Sequence, residues 1–180
     1  MSPFASSIIW LLATLTLVGQ IIAVGLIIAL VLNKFGIKFP ILKKLSKLIA
    51  ENQVAIVLVI AGFSTMGSLT LSEVFGFVPC QLCWYQRIFM YPLVVISFIA
   101  LITNEKIKKY VLALSAIGIL ISTYHILLQM FPTILECNDE TAKCSAVQFA
   151  QFGYITIPVM GFTAFLLLIL VSLFTIKKKK

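Results

Sequence analysis

Two cysteines in a Cys-x-x-Cys arrangement, Cys80 and Cys83, are followed one helical turn later by Arg87. Thiolate is the reactive form of cysteine, and this spacing, a helix start and a neighbouring cation each favour it. If a helix begins near Cys83, its free backbone N–H groups and the positive end of its dipole lie beside that sulfur. Arg87 then shares a helix face with Cys83, because residues four apart are neighbours on a helix. The pattern predicts a redox-active cysteine pair.

A second pair, Cys137 and Cys144, encloses a short polar segment and so predicts an exposed loop. A soluble partner can reach such a loop, and exposed or strained disulfides are the ones that exchange. If both pairs lie on one face of a membrane, they can pass electrons to each other by thiol–disulfide exchange.

The spacing alone leaves two other uses of the four cysteines open. Together they could bind zinc as a set of four thiolates, or each pair could form an inert structural disulfide. An arginine inside an apolar segment is costly in a membrane, and a structural bridge has no use for it. Arg87 therefore favours redox chemistry.

His125 is the single histidine and falls inside another apolar run, with Gln129 one helical turn further on. At 1.5 Å per residue, His125 lies about 7 Å below the outer end of its run, and Arg87, counted forward from Trp84, lies at about the same depth. Ionisable groups inside a membrane are candidates for function, although a lone histidine also serves in packing. These residues could line a pocket that offers hydrogen bonds to a lipid-soluble quinone. Gln86 could face that pocket or the lipid.

The surrounding sequence is that of an integral membrane protein, since 61% of its residues are hydrophobic and 11% are charged. Five apolar runs are long enough to cross a bilayer as helices, at residues 7–32, 52–71, 84–103, 110–130 and 154–176. Residues 39–50 place apolar and lysine side chains on opposite helix faces and predict an amphipathic helix in the membrane interface. The predicted fold is an all-α membrane protein with a four-helix transmembrane bundle in residues 52–180. Residues 1–51 add an N-terminal transmembrane helix and the amphipathic helix.

The basic residues predict how these helices are oriented. All except Arg87 and Lys143 fall between the first and second runs, between the third and fourth, or after the fifth. Cytoplasmic loops carry the excess of lysine and arginine, so the N-terminus and all four cysteines are expected outside and the C-terminus inside. The net charge of +8 could indicate nucleic-acid binding, but lysines at these positions set topology and meet anionic lipid. No nucleic-acid partner is predicted.

Three stretches resemble one known family, the DsbB/BdbC disulfide-bond-formation proteins. Cys-Gln-Leu-Cys-Trp-Tyr-Gln-Arg at 80–87 looks like the family's first-loop motif almost unaltered. Tyr-His-Ile-Leu-Leu-Gln at 124–129 is similar to the stretch before its second cysteine loop, and Gly-Tyr-Ile-Thr-Ile-Pro at 153–158 resembles the opening of its last helix. The resemblance covers about residues 52–176, the family's four-helix core. The segment before it has no counterpart in that core.

The resemblance implies an oxidase of the bacterial inner or plasma membrane that regenerates the disulfide of a soluble thioredoxin-fold, DsbA-like thiol oxidase. Its electron acceptor would be a membrane quinone, either ubiquinone or menaquinone. By motif position, Cys80 and Cys83 would be the quinone-coupled pair, with Arg87 supporting quinone binding and the thiolate. Cys137 would be attacked by the partner's thiolate, and Cys144 would complete the shuttle pair. The resemblance places two further residues near the quinone, His125 and Gln129.

Two other functions are compatible with the same cysteines. A vitamin-K-epoxide-reductase-like protein uses thiols to reduce a quinone for the sake of the quinone chemistry. The Cys-x-x-Cys-Trp-Tyr-Gln-Arg motif and the lack of an appended thioredoxin-like domain argue against this function. The second is a non-catalytic membrane scaffold with two structural disulfides, which would tolerate replacement of all four cysteines.

Overall fold

The computed structural model describes residues 3–35, 40–131 and 143–174. Within these residues the regular structure is helical and no strand is formed. The helices are α1 (Pro3–Lys34), α2 (Pro40–Glu51), α3 (Gln53–Leu69), α4 (Gln81–Thr103), α5 (Lys108–Met130) and α6 (Ile157–Leu173). The chain continues from α3 through a π-helical turn, Thr70–Val74, before it reaches the first cysteine pair. The predicted all-α class is confirmed.

Four of the described helices are long and apolar enough to cross a membrane: α1, α3 with its π-helical turn, α4 and α5. The fifth apolar helix, α6, has 17 residues. It begins later than the predicted run at residue 154 because Gln151 and Ile155 pair as a short β-bridge, and the helix follows that turn. The chain is therefore a multi-pass membrane protein. Residues 175 and 176 of the predicted fifth run lie outside the described residues.

The bundle is organised around α6, which packs against α1, α3 and α5. Phe165 and Leu168 on α6 are fully buried in its core. On α5, Gly118 faces the ring of Phe165 so closely that a Cβ there would overlap the ring. Glycine therefore lets α5 approach α6 and fixes the position of the α5 residues that follow it, His125 among them.

The N-terminal helix α1 is attached to α6 by polar contacts as well as by packing. Gln20 donates from Nε2 to Thr163 Oγ1 at 3.3 Å, and its Oε1 accepts a hydrogen bond from the Tyr154 hydroxyl at 2.6 Å. Gly19 lies against Leu167 and Thr163 at the same level. Polar side chains that pair across helices hold the helices of a membrane bundle in register.

The predicted amphipathic helix is present as α2, where Lys47 and Glu51 form an ion pair at 3.7 Å. Its buried contact with the bundle is made through Ile49. The helix is confirmed. Its place in the membrane interface and the division of the chain into residues 1–51 and 52–180 stay predictions.

Candidate redox site

The first cysteine pair lies where a turn delivers the chain into α4. Gly76 adopts a left-handed conformation with φ of 69°, which an L side chain rarely tolerates. Cys80 is then extended, with φ of −73° and ψ of 172°, and caps the helix that begins at Gln81. Cys83 therefore lies in the first turn, where backbone N–H groups have no carbonyl partner within the helix. The helix begins slightly earlier than predicted.

The two sulfurs of this pair are in contact and differ in environment. Cys80 Sγ donates a hydrogen bond to Cys83 Sγ at 3.4 Å. Cys80 is 5% exposed, and Cys83 is half-buried. The hydrogen bond with the Cys83 sulfur, together with burial, raises the pKa of the Cys80 thiol to about 12. Cys80 therefore keeps its proton at neutral pH, and Cys83 is the sulfur that is free to react as a thiolate.

His125 on α5 connects the pair to the second cysteine loop. Its Nδ1 lies 3.1 Å from Gln86 Nε2, and an amide nitrogen can only donate, so Nδ1 is the acceptor. The ring proton is therefore on Nε2, which lies 3.1 Å from the backbone oxygen of Cys144 and 3.7 Å from Cys80 Sγ. His125 is 2% exposed, so this proton is shared between two buried partners.

Cys144 is buried beside the first pair. It is 1% exposed and clusters with Cys80, Leu82 and Leu128. The prediction of an exposed loop is wrong for this residue, because the chain after it turns back over the ends of α4 and α5 and packs there. Cys137 lies outside the described residues, so the second pair is described through Cys144 alone.

Arg87 on α4 is buried, at 7% exposure. Its guanidinium donates from Nε to Ser68 Oγ at 3.0 Å and from Nη2 to the Ser68 carbonyl at 3.1 Å. It also lies over the Trp84 ring, 5.0 Å from the ring centre. The one ion pair among the described residues is that of α2, so no described carboxylate neutralises this cation. Ser68 and Trp84 hold Arg87 in place and leave its charge available.

Two cavities meet at the first pair. The Arg87 cavity, about 90 Å³, is bordered by α3, α4 and α6 and includes Cys83, Gln86, Arg87 and Tyr91 in its wall. The His125 cavity, about 20 Å³, is lined by Cys80, Cys83, His125, Gln129 and Cys144 together with the start of α6. Cys83 lies in the walls of both.

The structure therefore separates residues that the sequence placed in one pocket. Gln86 borders the Arg87 cavity and also contacts His125 through the hydrogen bond described above. Gln129 lies in the His125 cavity, where its Oε1 accepts a hydrogen bond from Thr156 Oγ1 at 2.9 Å and its Nε2 donates to the Ala146 carbonyl at 3.5 Å. Gln129 thereby ties the second cysteine loop to the start of α6.

The Arg87 cavity has the chemistry expected of a quinone site. A quinone ring needs apolar walls and hydrogen-bond donors for its carbonyl oxygens, which is the usual composition of a small-molecule site. Arg87 and Gln86 can donate there. The Tyr91 hydroxyl is buried in the same wall and has no hydrogen-bond partner among the described residues. An unsatisfied buried hydroxyl is costly, so a ligand carbonyl at that position would stabilise it.

A metal ion is the other group that these residues could hold. The ligand atoms of Cys80, Cys83 and His125 all lie within 4.8 Å of one another. Structural zinc takes four such ligands, and catalytic zinc takes three with water in the fourth position. The set differs from the four-cysteine site that the spacing left open, since it includes the histidine.

Together, the helices and the buried thiols define a multi-pass membrane protein built around cysteine chemistry. The model for the family "Disulfide bond formation protein DsbB" matches residues 51–175. The chain belongs to the DsbB family, and it therefore has a role in disulfide formation at a membrane.

Individual relatives support this assignment. Disulfide bond formation protein C of Bacillus subtilis is 45% identical over 116 residues, which cover 62% of this chain and 83% of the relative. A probable disulfide formation protein of Oceanobacillus iheyensis is 39% identical over 142 residues, 77% of this chain and 97% of the relative. The SPbeta prophage-derived disulfide bond formation protein B of Bacillus subtilis is 39% identical over 120 residues, 66% of this chain and 81% of the relative. No solved structure matches the chain.

Proposed function

We propose that this protein reoxidises a thioredoxin-fold, DsbA-like thiol oxidase and passes the electrons to a membrane quinone, ubiquinone or menaquinone. Its N-terminus and cysteines would face the outside of a bacterial plasma or inner membrane and its C-terminus the cytoplasm. The charge distribution of the loops supports this orientation. The observation that carries the proposal is the position of Cys83 in the walls of both the His125 cavity and the Arg87 cavity.

The first exchange takes place at the second cysteine pair. A thiolate of the reduced partner attacks Cys137 in a Cys137–Cys144 disulfide, a mixed disulfide forms, and Cys144 leaves as a thiolate. The second thiolate of the partner then attacks the mixed disulfide. The partner leaves oxidised, and Cys137 and Cys144 are left reduced.

The second exchange moves these two electrons to the first pair. A thiolate of the second pair attacks Cys80 in a Cys80–Cys83 disulfide, and Cys83 leaves as a thiolate. The other thiolate of the second pair then attacks this mixed disulfide and releases Cys80. The Cys137–Cys144 disulfide is thereby re-formed, and Cys80 and Cys83 are left reduced. The geometry supports this step because His125 Nε2 is close to both the Cys144 carbonyl, at 3.1 Å, and Cys80 Sγ, at 3.7 Å. His125 thus positions the second loop beside the sulfur that is attacked.

The last step would take place at the Arg87 cavity, which Cys83 also lines. Arg87 and Gln86 would hold a quinone in the Arg87 cavity, and a quinone bound there would supply the oxidising equivalents. It would take two electrons from Cys80 and Cys83, with one proton from the pair and one from water, as the two cysteines return to a disulfide. The first turn of α4 and the Arg87 cation stabilise negative charge at Cys83. The Cys80 thiol supplies one proton, and Gln86 and Tyr91 offer hydrogen bonds in the same cavity.

The proposal is tested with purified protein in detergent, mixed with a reduced thioredoxin-fold oxidase and a soluble quinone. Quinone absorbance and the thiol content of the partner are followed together. We expect one quinone to be consumed for each partner disulfide formed, and none with Cys83→Ser. Thr123→Ala is the matched control, because Thr123 is exposed on α5 and bonds only to the Ile119 carbonyl of its own helix.

The same assay separates the alternatives. Quinone reduction by small thiols without oxidation of the partner would indicate a vitamin-K-epoxide-reductase-like activity instead. Partner disulfides that exchange without quinone loss would indicate a thiol relay alone. Full function after replacement of all four cysteines by serine would indicate a scaffold. Stoichiometric zinc in the purified protein, lost in His125→Ala, would indicate a metal site and contradict the redox proposal.

A further inference from the structure

A larger space adjoins the Arg87 cavity, and α1 forms one side of it. This space, which we call the α1 groove, has a volume of about 450 Å³ and runs between α1 and α3 over a floor made by α6. Its lining is almost wholly apolar, with Leu15, Val18 and Ile22 contributed by α1. The family match begins at residue 51, so α1 lies outside it. The family assignment therefore gives this helix no role.

The α1 groove and the Arg87 cavity meet at two small residues. Ser64 of α3 and Gly161 of α6 line both spaces. A Cβ at Gly161 would lie 2.5 Å from Gln86 Oε1, which is closer than real contacts allow. Only glycine at this position keeps both Gln86 in its place and the junction free of side chains.

The inner cavity is too small to hold a whole quinone. The Arg87 cavity, about 90 Å³, is smaller than the roughly 150 Å³ cavity that holds a benzene ring. A substituted quinone ring beside Cys83 must therefore extend beyond that cavity. The adjoining space with apolar walls and sufficient volume is the α1 groove, and its polar atoms are few.

Specific hydrogen bonds and close packing hold α1 in position against the bundle. Gln20 bonds both Thr163 and Tyr154, as described above. Leu12 of α1 reaches Gly67 of α3, where a Cβ would lie 3.1 Å from Leu12 Cδ2. α1 is therefore attached on both sides of the groove, to α6 and to α3.

We propose that α1 completes a binding groove for the isoprenoid tail of the quinone, so that the protein selects quinones by their tails as well as by their rings. The inference rests on the proposed function, because it places the ring of that quinone in the Arg87 cavity. Lipid chains already surround a membrane protein, so the groove gains selectivity from shape and close contact rather than from burial. Each contact with the tail contributes little binding free energy, and the sum of the contacts along the groove distinguishes one quinone tail from another.

The test compares the binding of two quinones that share one ring, one without a tail and one with several isoprene units. Binding is measured by quenching of tryptophan fluorescence, with wild type, Thr16→Phe and Thr14→Phe in the same detergent. Thr16 lines the groove, whereas Thr14 is exposed on the same helix; each bonds only to a carbonyl of its own helix, Leu12 and Trp10 respectively. Partition of the tail into detergent is the same for all three proteins and cancels in the comparison.

We expect Thr16→Phe to raise the Kd of the tailed quinone by about three- to tenfold, as the loss of several dispersion contacts would. The tailless quinone should keep its Kd within about twofold, and Thr14→Phe should change neither. An equal loss for both quinones, or no loss for either, would overturn the inference while leaving the proposed function standing. If wild type binds no quinone at all, the proposed function itself fails.

A second measurement avoids any substitution in the groove. A quinone with a photoreactive group at the end of its tail is bound to the wild-type protein, irradiated and mapped by mass spectrometry. Crosslinks on Leu15, Val18 or Ile22 support the inference. Crosslinks on the lipid faces of α4 and α5, or a phospholipid that copurifies and is not displaced by the tailed quinone, would overturn it.

Discussion

The two cavities beside Cys83 are built for different chemistry. The Arg87 cavity is bordered by three helices, contains a buried cation and includes a hydroxyl that lacks a described partner. The His125 cavity has about 20 Å³, room for one water molecule, and its polar groups bond to one another or to the backbone. One space is open to a ligand, and the other is closed around a contact between two parts of the chain. Because Cys83 lines both spaces, the proposed electron transfer and the proposed thiol exchange would each have a separate cavity at this residue.

The largest effect is expected from Cys83→Ser, because this sulfur belongs to both cavities. Partner-driven and small-dithiol-driven quinone reduction should both fall to background, since serine cannot form the disulfide. The measurement is quinone absorbance with each reductant. If quinone reduction with either reductant survives in Cys83→Ser, Cys83 is not required by both cavities, and the proposed division of roles between them is wrong.

Arg87→Gln should impair the Arg87 cavity alone. Removing a buried charged donor costs about 1.5–3 kcal/mol, so quinone reduction driven by a small dithiol should slow by about ten- to a hundredfold. Single-turnover exchange between the partner and the protein, measured by acid trapping of mixed disulfides, should stay within about twofold. Lys106→Gln, at an exposed lysine between α4 and α5, is the charge-matched control. Equal slowing of both steps would contradict the division.

His125→Ala should show the reverse pattern. It removes the hydrogen bond to the Cys144 carbonyl, worth about 1 kcal/mol, so partner exchange should slow about five- to tenfold. Dithiol-driven quinone reduction should change less than exchange does. Thr123→Ala is the control on the same helix. Slower quinone reduction with normal exchange would place His125 functionally with the quinone, as the sequence suggested.

Tyr91→Phe tests whether the Arg87 cavity binds the quinone ring. It deletes only the hydroxyl that lacks a described partner, so folding stability should be unchanged or slightly higher. Quinone binding should weaken by about three- to tenfold if that hydroxyl donates to a ring carbonyl. Thermal unfolding with and without quinone reads out both effects. A stability loss in the absence of quinone would show that the hydroxyl has a protein partner instead.

The smallest expected effect is on the pH dependence of Cys80 alkylation. Because its pKa is raised to about 12, its thiolate fraction, and hence its alkylation rate, should rise about tenfold per pH unit through pH 10 without levelling off. In Cys83→Ser the sulfur that accepts its hydrogen bond is gone, so the rate should level off at lower pH. Mass spectrometry of alkylated peptides separates the two cysteines. A plateau near pH 8 in the wild-type protein would contradict the arrangement of donor and acceptor.

The sequence predicted the helices well because apolar runs, lysine-rich loops and a Cys-x-x-Cys at a helix start are local signals. It did not predict the partners of the buried polar groups. Ser68 binds Arg87 and the Cys144 carbonyl binds His125, and these contacts depend on how helices are turned relative to one another. Equal depth in the membrane suggested that Arg87 and His125 share a pocket, but depth does not determine the direction in which a helix residue points. Burial of Cys144 was missed because the loop around it is polar in sequence.

The position of Cys83 between two spaces has a kinetic consequence. Under the proposed function, the electron acceptor could be in place before the partner protein arrives, because Cys83 lines both cavities. The pair can then be reoxidised while the partner is still bound, and a reduced, reactive dithiol does not have to wait for a diffusing acceptor. The steady state would contain a complex of protein, partner and acceptor together, and turnover would depend on how quickly the partner is exchanged.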